Sequence, residues 1–185
     1  MMQEPKPPDA TPLTYAEFIA YAEAHEGRFE FDDGLIVDMG IPSDAHQDLT
    51  FALAGFINRH LRAMGCKPRL ASRLVTISGE IGKPPKKERS PDALVICDGK
   101  PRKMVCEILS LNRGEDLGKK REEYEAMPEF EEYLVIDSIT HWVRVYRRGT
   151  EGLFRSDDHI GGSVRLDSID YTLDIDALYR EAGIP

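Results

Sequence analysis

No apolar run in this chain is long enough to cross a membrane, and the opening stretch MMQEPKPPDATP lacks the apolar core of a signal peptide. Both absences point to a cytoplasmic protein with no membrane partner. Cysteine is scarce: three residues, at 66, 97 and 106, are too few and too scattered for a disulfide framework or a zinc site. Cys97 and Cys106 can neighbour each other in a hairpin, yet buried free thiols are the expectation. There is no phosphate-cradling glycine loop, since Gly114 and Gly118 are isolated. Nothing resembles a helix-turn-helix or zinc finger, and no internal repeat or coiled coil is present. Positive charge is also short. A net charge of −9 argues against a broad nucleic-acid surface.

What remains is a globular composition, 41% hydrophobic and 31% charged over 185 residues. The pattern predicts a flexible arm over 1–13 and a single domain over 14–185. Thr14 and Glu17 form a capping-box pattern for a helix over 14–25. A hairpin over 28–39 turns at an Asp-Gly pair. A long amphipathic helix runs over 44–64, with Ser43 as its cap and Gly65 at its end. Residues 69–77 read as one strand, and SGEIGKPPKKERSP as an exposed loop. A helix over 115–126, strands over 132–137 and 141–147, short strands near 152–155 and 163–166, and a helix over 174–182 capped by Asp174 complete the chain. Helices interspersed with a mixed sheet make the fold class α/β (α+β), a mixed central sheet flanked by helices.

The stretch PDALVICDGKPRKMVCEILS is where chemistry enters. Taken as a hairpin turning over 98–101 with Cys97 opposite Arg102, it sets Asp92 directly across from Glu107. Strand periodicity then puts Asp92, Leu94 and Ile96 on one face with Lys103, Val105, Glu107 and Leu109. Facing carboxylates repel unless a cation sits between them. That cation is either a divalent metal, which takes hard oxygen ligands, or a neighbouring lysine or arginine. In the next helix Asp116, Lys120 and Tyr124 share one face. Lys120 can reach the carboxylates while its methylenes pack, or it can pair with Asp116 at the surface. Two carboxylates, a metal and a lysine make a phosphodiesterase site, in which the ion activates a water and the lysine stabilises charge on phosphorus. Basic residues cluster around it. Lys83, Lys86, Lys87 and Arg89 precede the hairpin, Lys100, Arg102 and Lys103 flank its turn, and Arg113, Lys119 and Arg121 follow. Lys83, Lys86, Lys87, Arg89 and Arg113 are candidate phosphate contacts.

The order Pro91-Asp92, Glu107 within VCEILS, DLGKKREEY and EEYLVID resembles a bacterial family of restriction-endonuclease-like proteins of unknown function. The family is abundant in cyanobacteria and lies within the PD-(D/E)XK nuclease superfamily. The similarity covers about Thr14 to Leu178, with Glu30 and Gly34 in RFEFDDG and His46 in AHQDL matching further family positions. The resemblance implies a restriction-endonuclease-like core. It makes Asp92, Glu107 and the Ile108 backbone carbonyl ligands of Mg²⁺ (or Mn²⁺), and Lys120 the catalytic lysine. Glu30 becomes a further acidic member. His46 becomes a phosphate contact, or alternatively a local cap. Asp116 supports Lys120, and Tyr124 packs. The chain departs from the superfamily where the usual lysine position holds Leu109, and in the polar stretch SLNRGED after the glutamate strand.

The leading function implied is a Mg²⁺-dependent endonuclease acting on nucleic acid, DNA above RNA, as a monomer or a homodimer. A catalytically silent nucleic-acid-binding or assembly protein is the alternative. A metal-dependent small-molecule phosphohydrolase comes third.

Overall fold

The computed structural model describes residues 11–70, 74–80, 82–97, 100–109 and 117–185, without the side chains of 100–103. The greater part of the N-terminal arm, the turn at 98–99, Arg113 and Asp116 lie outside the described residues. So do the side chains of Lys100, Arg102 and Lys103. The chain divides into two compact units, Met1–Ile41 with Leu74–Ser90, and Pro42–Arg73 with Pro91–Pro185.

In the first unit, α1 (Tyr15–Ala24) starts at Thr14, whose hydroxyl accepts from the Glu17 amide while Glu17 reaches back to the Thr14 amide. This is the capping box expected from the sequence. β1 (Phe29–Asp32) and β2 (Leu35–Asp38) form a hairpin through Asp33 and Gly34, both at positive φ. Such a two-residue turn matches the natural strand twist. β4 (Val75–Ser78) and β5 (Lys87–Arg89) complete a sheet ordered β2-β1-β5-β4. Phe18 of α1 packs on Phe29 and Phe31 of β1. The intervening Glu30 points to the opposite face, where it meets Arg89.

Two expectations fail here. Residues 69–77 are not one strand: β3 (Cys66–Leu70) and β4 belong to different sheets. The charged stretch before Pro91 is not all exposed loop either. It contains β5, where Glu88 and Arg89 are buried. A charge run reads as solvated surface unless its counter-ions are known, and here they come from β1, more than fifty residues earlier.

The second unit is built on a six-stranded sheet ordered β10-β9-β8-β7-β6-β3. Besides β3 it comprises β6 (Ala93–Cys97), β7 (Lys100–Leu109), β8 (Glu132–Asp137), β9 (Trp142–Arg148) and β10 (Phe154–Ile160). All its neighbours are antiparallel except β7 and β8. A parallel pair needs a crossover, and α3 (Lys119–Glu125) lies on it. β8 is buried at every position, so its YLVI run shows no alternation. α2 (Asp44–Ala63) and α4 (Ile175–Glu181) cover one face, with Leu49, Leu53 and Ile57 packed against Cys106, Ile108, Leu134 and Ile136. Ser43 and Asp174 cap these helices as expected. β11 (Ser163–Leu166) and β12 (Tyr171–Asp174), the latter absent from the sequence reading, form a separate hairpin feeding this core.

The central hairpin keeps the expected register at Ala93–Cys106, Leu94–Val105 and Val95–Met104, but departs from it at Cys97. Cys97 faces Lys100, and an irregularity in the ladder absorbs the difference. The cysteine expectation is corrected as well. Cys66 and Cys97 stand opposite each other across β3 and β6 and are joined by a disulfide, leaving Cys106 as the free, buried thiol. Thirty-one residues of separation hid that pairing from the sequence.

Candidate functional site

Asp92 sits just ahead of β6, and Glu107 lies near the end of β7 on the face that α3 covers. Both are 3% exposed. Where β6 has not yet begun, the Asp92 carboxylate substitutes for a ladder carbonyl: its Oδ2 accepts the Ile108 amide at 2.8 Å. The same oxygen meets His46 Nε2 at 2.9 Å. His46 stands in the first turn of α2, on the side facing the core, and is buried. A carboxylate only accepts, so Nε2 carries the proton in this contact. His46 Nδ1 is buried and has no partner among the described residues.

On the other side of β7, Glu107 Oε1 accepts from the Tyr124 hydroxyl at 3.2 Å and lies 3.5 Å from Lys120 Nζ. Lys120 is 2% exposed and Tyr124 fully buried. Tyr124 is fixed by edge contact with Phe130 and a tilted contact with Tyr133. The α3 face pressed on the sheet thus carries a cation, as its i, i+4 pattern predicts. Residues 107 and 108 are adjacent in β7 and each engages one carboxylate group, so the two clusters share one strand. Cys106, the residue before Glu107, turns to the face opposite Glu107. Burial pushes its thiol well above the usual range, and the charges of Asp92 and Glu107 add to the effect. It remains protonated and unreactive near neutral pH.

His46 is thus joined to Asp92, and Lys120 and Tyr124 to Glu107. Ile108 contributes its N–H to Asp92, a role the sequence did not suggest. Glu30 belongs to the first unit and is engaged there: its carboxylate accepts from Arg89 at 2.9 Å and from the Ser90 amide at 3.0 Å. Arg89 is fully buried against Glu30 and Asp32, which takes it off any phosphate-facing surface. Lys87 pairs with Asp32 at 3.0 Å, while Lys83 and Lys86 are exposed.

Among the described residues, no group of three or more His, Cys, Asp or Glu side chains forms a ready-made metal cage. The donor set still fits Mg²⁺. Asp92 and Glu107 are hard oxygen donors, and this ion is commonly held by one or two carboxylates, with water and phosphate oxygens completing the shell.

Known proteins fit this architecture. An "Uncharacterized protein slr1290" from Synechocystis sp. is 24% identical over 91% of this chain and 92% of its own length. The crystal structure of a protein from Anabaena variabilis, titled "a putative nuclease belonging to DUF820", superposes with a TM-score of 0.69 at 19% identity. That match covers 92% of this chain and 99% of the other, and it shows a shared mixed α/β fold. Residues 15–170 match the Uma2 family, described as "Putative restriction endonuclease". With the greater part of its length inside that match, the chain belongs to the Uma2 family of restriction-endonuclease-like proteins.

Proposed function

We propose that the cluster of Asp92, Glu107 and Lys120 is the centre of a Mg²⁺-dependent endonuclease that hydrolyses phosphodiester bonds in DNA. The observation that carries the reading is the buried Lys120 ammonium beside Glu107. Burying a charge is costly, and a helix that only packed on a sheet would present an apolar residue there. Asp92, Glu107 and the Ile108 carbonyl would hold the metal, which supplies an activated water and screens charge on the phosphate. In hydrolysis the water oxygen bonds to phosphorus and the bond to the leaving oxygen breaks. In this reading the Lys120 ammonium stabilises charge on the phosphoryl oxygens. His46 and Tyr124 are positioning residues, holding Asp92 and Glu107. Glu30 holds Arg89 and the Ser90 amide, two residues before Asp92. Lys83, Lys86 and Arg113 are assigned to the phosphate backbone.

The test combines Mg²⁺ and Mn²⁺ calorimetry with plasmid nicking. The wild type is expected to bind metal saturably and to nick only with metal. Asp92→Asn/Glu107→Gln is expected to lose both. Lys120→Met should keep metal binding and lose nicking by about 100-fold or more. Absence of metal binding and of metal-dependent nicking in the wild type sinks the reading.

A second reading is a nucleic-acid-binding or assembly protein that keeps the fold without turnover; the net charge of −9, which slows encounter with a polyanion, counts against catalysis on DNA. This second reading predicts a salt-dependent affinity for DNA that is indifferent to Asp92→Asn/Glu107→Gln.

A further inference from the structure

The solvent face of α2 carries a pattern that its own fold does not use. Asp44, Asp48, Phe51, Gly55, Arg59 and Arg62 are all exposed. At 3.6 residues per turn they fall within an arc of about 80°, opposite the buried leucines. Phe51 is 66% exposed. Four residues on, Gly55 interrupts the helix interior, which weakens a helix, and a Cβ placed there would meet nothing. None of the four charged residues has an ion-pair partner among the described residues. An exposed phenylalanine and a mid-helix glycine are each locally unfavourable, and together they form a knob and a hole.

The pattern is self-complementary under reversal. Its centre lies near residue 53, with acids on the N-terminal half and arginines on the C-terminal half. We infer that this face is the interface of a homodimer, in which two α2 helices pack antiparallel across a two-fold axis near residue 53. Phe51 of one copy lies over Gly55 of the other, in the groove that Gly55 and Phe56 share with Tyr171. Asp48 meets Arg59 and Asp44 meets Arg62, once on each side of the axis. A parallel pairing would set like charges together. An isologous contact requires this kind of reversal symmetry, and complementary charges fix register and orientation more than they add affinity. The contact is small, below about 1,200 Å² from helices alone, which places it among weak, reversible interfaces. The inference does not depend on the nuclease reading, because its test reads mass and not cleavage.

Sedimentation equilibrium of the full chain is the measurement, with three variants. Wild type is expected to be a monomer–dimer system that weakens with added salt. Asp44→Arg/Asp48→Arg and Arg59→Glu/Arg62→Glu should each self-associate at least tenfold more weakly. An equimolar mixture of those two should recover a dimer, because their faces are then opposite in charge along the whole stripe. Gly55→Leu fills the hole and should also weaken the dimer at least tenfold, with helix content retained by circular dichroism. A wild type monomeric throughout the accessible range overturns the inference. So does a dimer that is indifferent to both charge reversals, or a mixture that stays monomeric.

Discussion

The Tyr15 hydroxyl donates to Glu88 at 2.9 Å in the first unit. Burial, the hydrogen bond and the Glu88 charge push its phenol from 10.0 up to about 12. The folded state holds this proton more tightly than the unfolded chain, so the contribution to stability is complete below pH 10. It is lost as pH rises through 12. Urea denaturation from pH 9 to 12 should therefore show a steeper fall for wild type than for Tyr15→Phe, and parallel curves would contradict the assignment. At this scale the sequence was most legible where chemistry is local. Thr14, Ser43 and Asp174 cap as their neighbours demand, because a cap is decided within three or four residues. Lys120 was legible as well, since helical spacing put a lysine on an otherwise packing face. The Ile108 amide at Asp92 was not, for no side-chain pattern announces where a backbone N–H goes.

Among the elements, β5 is the one whose sequence misleads most. Three charged residues form a strand between β1 and β4, and Arg89 is sealed beneath Glu30 and Asp32. Arg89→Met removes the guanidinium and leaves a buried carboxylate uncompensated, at a cost of about 3–5 kcal/mol. Arg89→Met/Glu30→Leu should restore most of that stability, because the isolated charge is gone. Chemical denaturation decides it, and a single variant as stable as wild type would show that the pair contributes nothing. The central hairpin teaches a related lesson. Its register holds from Ala93–Cys106 to Val95–Met104, although Cys97 pairs with Lys100 where Arg102 was expected. Burial on both faces pins a strand more firmly than its turn does, since a one-residue slip would drive Glu107 into the opposite core.

For the whole molecule, the fold class and the mixed sheet were readable from alternating elements, while the split into two units was not. Each unit is assembled from separate stretches of chain, and pairings such as β1 with β5 or Cys66 with Cys97 leave no mark on local composition. The same non-locality governs α2, whose buried leucines share a core with Leu173, Ile175, Leu178 and Tyr179 from the end of the chain. A chain ending at residue 170 loses all four. It should bind a hydrophobic dye and sediment as aggregate, and a compact, dye-silent fragment would refute that dependence.

The order in which the chain is made turns this packing into a matter of timing. α2 leaves the ribosome long before its capping partner α4 exists. At about 5–20 residues per second, its greasy side waits on the order of ten seconds for cover. During that interval the helix is a natural client for a holding chaperone, and arrested nascent chains ending before residue 170 should capture one that the released protein does not.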